Sequence, residues 1–316
     1  MDTRARPLCW SFGKRIICGC VFVGREMLEA TGKMRPANPR PPASMASRRL
    51  EEGRGQGRGY AYKPWLNVRD VHSLGLSTRV RGWKTGRLHS LLSQLETRYF
   101  YVLEGSTVID IREQYPLLPL EETIAIANEC SLVHPRDPAT REPVTMTTDF
   151  IITARGSAGL VECARAVKQS QDLASKRTLE KLELERRYWT KRGVDWKIVT
   201  ENDIPAGIAD NIQWLHPYFE ISDHPSLTED NLRRIERVLG PKIREGGRPL
   251  ARCAAESDDE LGLPPGTSLT AVRHLLAVGR WVTDLTKLID PAEPLVLVNQ
   301  PSAEGALHGI LCQRAA

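Results

Sequence analysis

The 316-residue chain is 41% hydrophobic and 26% charged, the composition of a globular protein with room for two ordinary domains. Its seven cysteines (9, 18, 20, 130, 163, 253 and 312) form an odd set without a C-x-x-C pair, which argues against a disulfide framework and a zinc site and fits a reducing cytoplasm. The net charge of +5 is uneven: residues 1–50 carry ten Lys/Arg against three Asp/Glu, 51–95 eight against three, and 96–316 26 against 33. A basic front ahead of an acidic body points to an arm that meets a polyanion, most simply DNA, with a partnerless solvated tail as the alternative for 1–48.

In chain order, the apolar run at 16–23 follows Arg4 and Arg6 in the manner of a signal peptide. Gly19 interrupts it, Lys14 and Arg15 abut it, no small-x-small cleavage site follows, and it falls short of the roughly 20 residues of a spanning helix. The Pro- and Ala-rich stretch 33–47 reads as a linker, and Met34 and Met45 are alternative starts. Residues 1–48 are therefore expected to be a disordered, basic, Pro-rich extension.

Leu88, Leu91, Leu92, Leu95, Tyr99 and Leu103 recur at helical spacing, so a helix is predicted over 88–103 with Glu96 on its flank. The segment 107–112 (TVIDIR) alternates as a strand closed by Pro116 and Pro119. After a loop at 133–143, 147–153 (TTDFIIT) and 160–168 (LVECARAVK) are predicted strands joined as a hairpin through the turn at 156–159. A helix is predicted over 178–192, stopped by Gly193, with Leu179, Leu182, Arg186 and Trp189 along one stripe. A fourth strand follows at 196–200. The order α-β-β-β-α-β implies a final right-handed crossover onto one sheet and a first domain at 49–202.

Beyond 203, helices are predicted at 206–215, 228–239, near 249–256 and at 267–278. Two short β runs, 281–285 and 295–298, flank a turn at 290–294. Helix followed by hairpin is the outline of a winged helix, predicted over 203–316. The alternative is a small α+β cap with no ligand.

Hydrolysing a phosphodiester requires an activated water and something to absorb negative charge, and a divalent metal held by carboxylates supplies both. Magnesium takes oxygen ligands and keeps several waters, so two protein carboxylates can suffice. Asp149 on the second strand, Lys168 closing the third and Glu96 on the preceding helix form such a set, arranged as in restriction-endonuclease-like nucleases. By spacing alone, Asp149 as a strand-end turn residue and Lys168 as a solvated strand end stay open. The Gly-rich GRGQGRG at 53–59 lacks the Gly-Lys-Ser/Thr ending of a P-loop, yet Arg54 and Arg58 within it are candidates for DNA-backbone contact. So is the basic segment Arg79, Arg81, Lys84 and Arg87. Asp110 and Glu113 read as strand-fixing residues, His134 and His216 have no partners at metal spacing, and Trp189, Trp196 and Trp214 read as core.

In running sequence, EEGRGQGRGYAYKPWL (51–66), KTGRLHSLLSQLE (84–96), VIDIREQYPLLP (108–119), TTDF (147–150), AVK (166–168) and RTLEKLELERRYW (177–189) resemble the TnsA family, the endonuclease subunits of heteromeric bacterial cut-and-paste transposases. The resemblance spans about 49–215. It implies an α/β restriction-endonuclease-like domain of the PD-(D/E)xK type, with Glu96 and Asp149 as Mg2+ ligands (Mn2+ substituting) and Lys168 handling the water. It also implies nicking of one strand at each transposon end, a TnsB-like recombinase that handles the other strand, and a TnsC-like AAA+ ATPase met through the C-terminal domain. The family usually has Gln where this chain has Ala166, which removes one polar group from the metal site. Glu162 shares strand parity with Ala166 but lies roughly 13 Å along the strand. Two other readings stand beside this one, an assembly subunit weakened in cutting by Ala166 and a winged-helix DNA-binding regulator.

Overall fold

The computed structural model describes residues 45–70, 76–156 and 159–298. The expected disorder of 1–48 therefore lies outside the described residues except at 45–48, which belong to the short helix α1 (Met45–Glu51). A four-stranded sheet organises residues 108–199, in the order β3 (Val108–Pro116), β4 (Thr147–Gly156), β5 (Gly159–Val167), β6 (Asp195–Val199). The first two neighbour pairs are antiparallel and the last is parallel. The parallel pair needs a crossover, which α4 (Lys176–Lys191) supplies. Arg165, fully buried on β5, pins that pair by donating to the Asp195 carbonyl at 2.9 Å and its carboxylate at 2.7 Å.

Both faces of the sheet are covered, which explains why β4 is buried nearly throughout rather than at every second residue. On one face Phe150, Ile152, Val167 and Val199 pack against Tyr99, Phe100 and Leu103 of α2 (Gln94–Glu104) and against Ile208 and Ile212 of α5 (Ala206–Leu215). On the other, Ile151 and Ala164 meet Ile126 of α3 (Leu120–Glu129) and Leu184, Tyr188 and Trp189 of α4. Asp149 and Lys168 line a cavity together with Leu182 and Glu185 of α4, on that side of the sheet.

The helix expected over 88–103 is two elements. Residues 88–91 form β2 (Leu88–Leu91), antiparallel to β1 (Thr78–Arg81), and α2 starts only at Gln94. The reason is local. Ser93 caps α2 by accepting from the Glu96 N–H at 3.1 Å, which marks where the helix begins. The apolar residues ahead of it fit a strand once β1 offers a partner. Helix α3 had no counterpart in the sequence reading.

Past α5 the chain is helical, with α6 (Glu229–Glu245), α7 (Leu250–Leu261) and α8 (Thr267–Ala277) around Leu232, Ile235, Leu239, Cys253, Val272 and Leu275. The two β runs expected at 281–285 and 295–298 are not strands among the described residues. They are extended segments joined by the Val298 N–H to the Val282 carbonyl at 2.8 Å and the Thr283 hydroxyl to the Val296 carbonyl at 2.8 Å. No helix among the described residues is long and apolar enough to cross a membrane.

Candidate active site

Asp149 sits at the third position of β4, facing the α4 side of the sheet. Its Oδ2 accepts from the Val167 N–H at 2.7 Å and from Lys168 Nζ at 2.8 Å. Lys168 follows the last residue of β5, and its N–H is bound to the Val199 carbonyl at 3.0 Å, so the strand end that presents it is held by β6. Glu96, in the first turn of α2, is buried. Its Oε1 accepts from the Ser93 hydroxyl at 3.0 Å, and its Oε2 from the Leu92 N–H at 3.0 Å and from Gln114 Nε2 at 3.3 Å. The structure therefore brings Glu96, Asp149 and Lys168 together from three elements.

Electrostatics bind these residues further. Burial, and then the charge of Asp149, push the Glu96 carboxyl up to about 7, against the donors at Leu92 and Ser93. Burial opposes charging Lys168, but the Asp149 carboxylate outweighs it, with Glu185 and Glu96 adding, and the ammonium is held above its usual range. Lys168 is thus a cation that keeps its proton in this arrangement.

A fourth group in this site escaped the sequence reading. Glu185 of α4 is 5% exposed, and its Oε1 accepts from Trp196 Nε1 at 3.0 Å. Burial, then the charge of Asp149, push its carboxyl up to about 7. With Asp149, Lys168, Thr147 and Asp172 it lines a cavity of about 350 Å³. The inward stripe of α4 runs through Leu182, Glu185 and Trp189, whereas Leu179 is 47% exposed and Arg186 is ion-paired with Glu183 at the surface. The signal was present, since Glu185 stands three residues after Leu182 and four before Trp189, an ionisable group on an apolar stripe.

Ala166 shares strand parity with Lys168 but is fully buried and is not among the residues lining the cavity. Glu162 is engaged elsewhere, by Arg112 at 2.6 Å and Arg58 at 2.7 Å.

The candidate DNA contacts divide sharply. Arg79 and Arg81 are exposed on β1. Arg58 is 63% exposed but bound to Glu162, and Arg54 is held by Glu52 and Asp70. Lys84 is half-buried and donates to the Ser106 carbonyl at 2.6 Å, its burial lowering the pKa. Arg87 does not belong to a surface track. It is 6% exposed and forks onto Glu113, with a further bond to the Ile111 carbonyl at 2.8 Å. Glu113 also accepts from the Ser90 N–H at 3.0 Å and lies 2.8 Å from His89 Nδ1. Burial would raise that carboxyl, but His89 and Arg87 overcome it and hold it well below the usual carboxylate range. This interior network fixes β2 to β3.

His134 and His216 are interior side chains, His134 bonded to Thr123 and His216 stacked on Trp83 at 4.8 Å. Among the described residues no group of three or more His, Cys, Asp or Glu forms a ready metal cage. The donor set present nevertheless fits a hard cation. It consists of carboxylate oxygens, and the charge of Asp149 disfavours ionising Glu96, a cost that a divalent cation held by the two would relieve.

Residues 105–201 match the family model described as TnsA-like endonuclease N terminal, and 203–285 the one described as TnsA endonuclease C terminal. The chain is similar to the Transposon Tn7 transposition protein TnsA of Escherichia coli, 37% identical over 234 residues, which is 74% of this chain and 83% of that protein. At that identity, over that share of both chains and with both halves matched, this chain belongs to the TnsA endonuclease family.

Proposed function

We propose that this endonuclease is the subunit of a Tn7-type transposition machine that nicks one DNA strand at each transposon end, with Glu96, Asp149 and Lys168 as its working residues. The observation that carries this reading is the 2.8 Å pair of Asp149 and Lys168 on neighbouring strands, with Glu96 converging on it from α2. The sheet order and the hairpin that carries that pair support a restriction-endonuclease-like α/β domain over 49–202. The first family match ends at 201 and the second begins at 203, which supports a domain boundary there. The helices past 203 and the bonded segments at Val282 and Val298 support a winged-helix relative over 203–316, its wing too short to count as strands.

Glu96 and Asp149 would hold a divalent cation, with Mg2+ favoured by the all-oxygen set and Mn2+ substituting. When bound, such a cation neutralises charge on the scissile phosphate and activates the attacking water. Lys168 Nζ, kept protonated by Asp149, donates rather than accepts. It orients the water and offsets the charge that develops on the phosphate oxygens. Glu185, with its carboxyl near 7, can hold or release a proton near neutral pH on the same cavity wall. Arg79 and Arg81, exposed on β1, would track the phosphate backbone. Partners are proposed as a TnsB-like recombinase that handles the second strand and a TnsC-like AAA+ regulator.

The test is strand cleavage of labelled transposon ends with recombinase, regulator and Mg2+ present. Nicking of one defined strand per end, lost with Asp149→Ala, is the expected result. Undiminished nicking by that variant removes the assignment, and an inert parent chain at every Mg2+ and Mn2+ concentration favours an assembly-only subunit.

A further inference from the structure

We propose that Gln114 is a positioning residue that ties Glu96 to the strand opposite Asp149 and so sets the spacing of the two metal-binding carboxylates; this rests on the reading of Glu96 and Asp149 as ligands.

Three observations converge on Gln114. The first is its place in the sheet. Glu113 pairs with Phe150 and Tyr115 with Thr148, a register that sets Gln114 directly across from Asp149. The second is its backbone. Gln114 has φ of 49°, in the left-handed region that a long, non-glycine side chain seldom occupies. Such a conformation persists where the surroundings over-determine it, and here they do. The Trp65 N–H donates to the Gln114 carbonyl at 3.1 Å, the Tyr62 hydroxyl donates to the Glu113 carbonyl at 3.1 Å, and Glu113 is locked by Arg87, His89 and Ser90. The third is its side chain, 2% exposed. Nε2 donates to Glu96 Oε2 at 3.3 Å, while Oε1 accepts from the Thr147 hydroxyl at 3.1 Å.

That bridge needs an amide. As a metal ligand Glu96 is ionised, and an ionised carboxylate only accepts, so the group facing it must donate, and the group facing the Thr147 hydroxyl proton must accept. Gln supplies both from one planar unit. Glutamate in its place would set a second negative charge against Glu96, and leucine would offer no polar atom. The other two donors to Glu96, the Leu92 N–H and the Ser93 hydroxyl, belong to the start of α2 itself. They fix the carboxylate to its helix but not to the sheet. Gln114 supplies the sheet-side bond, and Thr147 at its far end lies two residues before Asp149. Partners of this kind, which orient a ligand without touching the metal, change metal affinity by roughly 10–100-fold when removed.

Two variants separate positioning from folding. Gln114→Asn keeps an amide and a residue type that tolerates the left-handed backbone, but it is one methylene too short for the bridge. Gln114→Met keeps the length and loses the amide. In the full-length chain, Mn2+ binding is measured by calorimetry or electron paramagnetic resonance, melting temperature is followed alongside, and the Mg2+ concentration for half-maximal nicking is measured with all partners. Glu96→Ala and Asp149→Ala serve as controls. The proposal expects both controls to abolish Mn2+ binding. It expects Gln114→Asn to weaken binding and raise the Mg2+ requirement by about 10-fold or more, with melting temperature kept and the rate at saturating Mg2+ near that of the parent. Unchanged metal affinity in both Gln114 variants, with the controls dead, overturns the role of Gln114 and leaves the site standing. A fall in melting temperature without a change in metal affinity overturns it equally, as that is mere packing. Mn2+ binding that survives both controls overturns the site itself and the proposal with it.

Discussion

Trp189 and Thr148 meet across the α4 face of the sheet, Nε1 donating to Oγ1 at 2.6 Å, and this contact seats α4 so that Glu185 lies over the strand bearing Asp149. One helix thus packs the core through Trp189 and reaches the candidate site through the residue one turn earlier. The same economy holds for α2, whose Glu96 both belongs to the helix cap and enters the site.

Asp149→Ala and Glu96→Ala should each reduce strand nicking by about a hundredfold or more, the scale expected when a group that acts on transition-state charge is removed. Asp149→Ala also leaves the Lys168 ammonium without its partner, so a modest loss of melting temperature is expected beside the loss of cutting. Labelled-end cleavage together with thermal denaturation checks both.

Replacing Arg79 and Arg81 by alanine should weaken DNA binding and flatten its salt dependence. Each phosphate contact contributes about 0.9 to the slope of log affinity against log salt, so the double variant should lose about 2. An unchanged slope in binding titrations from low to moderate salt would show β1 to be a solvated face.

Arg87→Ala should act on stability rather than on that slope. It strands Glu113, fully buried, next to His89, and breaking such a buried pair typically costs about 3–5 kcal/mol. Because Glu113 is held below its unfolded value, the stability it contributes is present above pH 4.5 and is lost as pH falls below that value. Glu113→Gln should therefore melt lower than the parent at pH 7, with the gap narrowing on acidification.

Glu185→Gln should show the opposite sign. The folded chain holds the Glu185 proton up to about pH 7 against an ordinary value of 4.5, so it binds more protons than the unfolded chain between those limits. Stability of the metal-free parent should fall as pH rises through that window. The Gln variant should lack this contribution, matching the parent near pH 5 and melting above it near pH 8. Parallel melting curves at the two pH values would mean that Glu185 is not held protonated.

The strand order around Asp149 and Lys168, and the helix that carries the crossover, could be read directly from local periodicity. Strands β4 and β5 flank a glycine-bearing turn, and the rules that mark such a hairpin act over a few residues. Glu96 could be nominated from running sequence, and Ser93 three residues before it was a readable helix start. Local sequence thus placed the candidate residues Glu96, Asp149 and Lys168 on, or directly after, a helix or strand. Tertiary structure made residues 88–91 a strand with β1, because their 3–4 spacing satisfies a helix equally well until a partner strand is present. It alone turned Arg87 from an expected surface cation into the buried mate of Glu113, 26 residues away, since a charge shows its partner only when the chain is folded around it. It also left the 281–285 and 295–298 segments as a bonded pair of extended stretches rather than strands. The assembly of Glu96, Asp149, Lys168, Glu185 and Gln114 in one place follows from sheet register and helix packing, long-range geometry that no local pattern encodes.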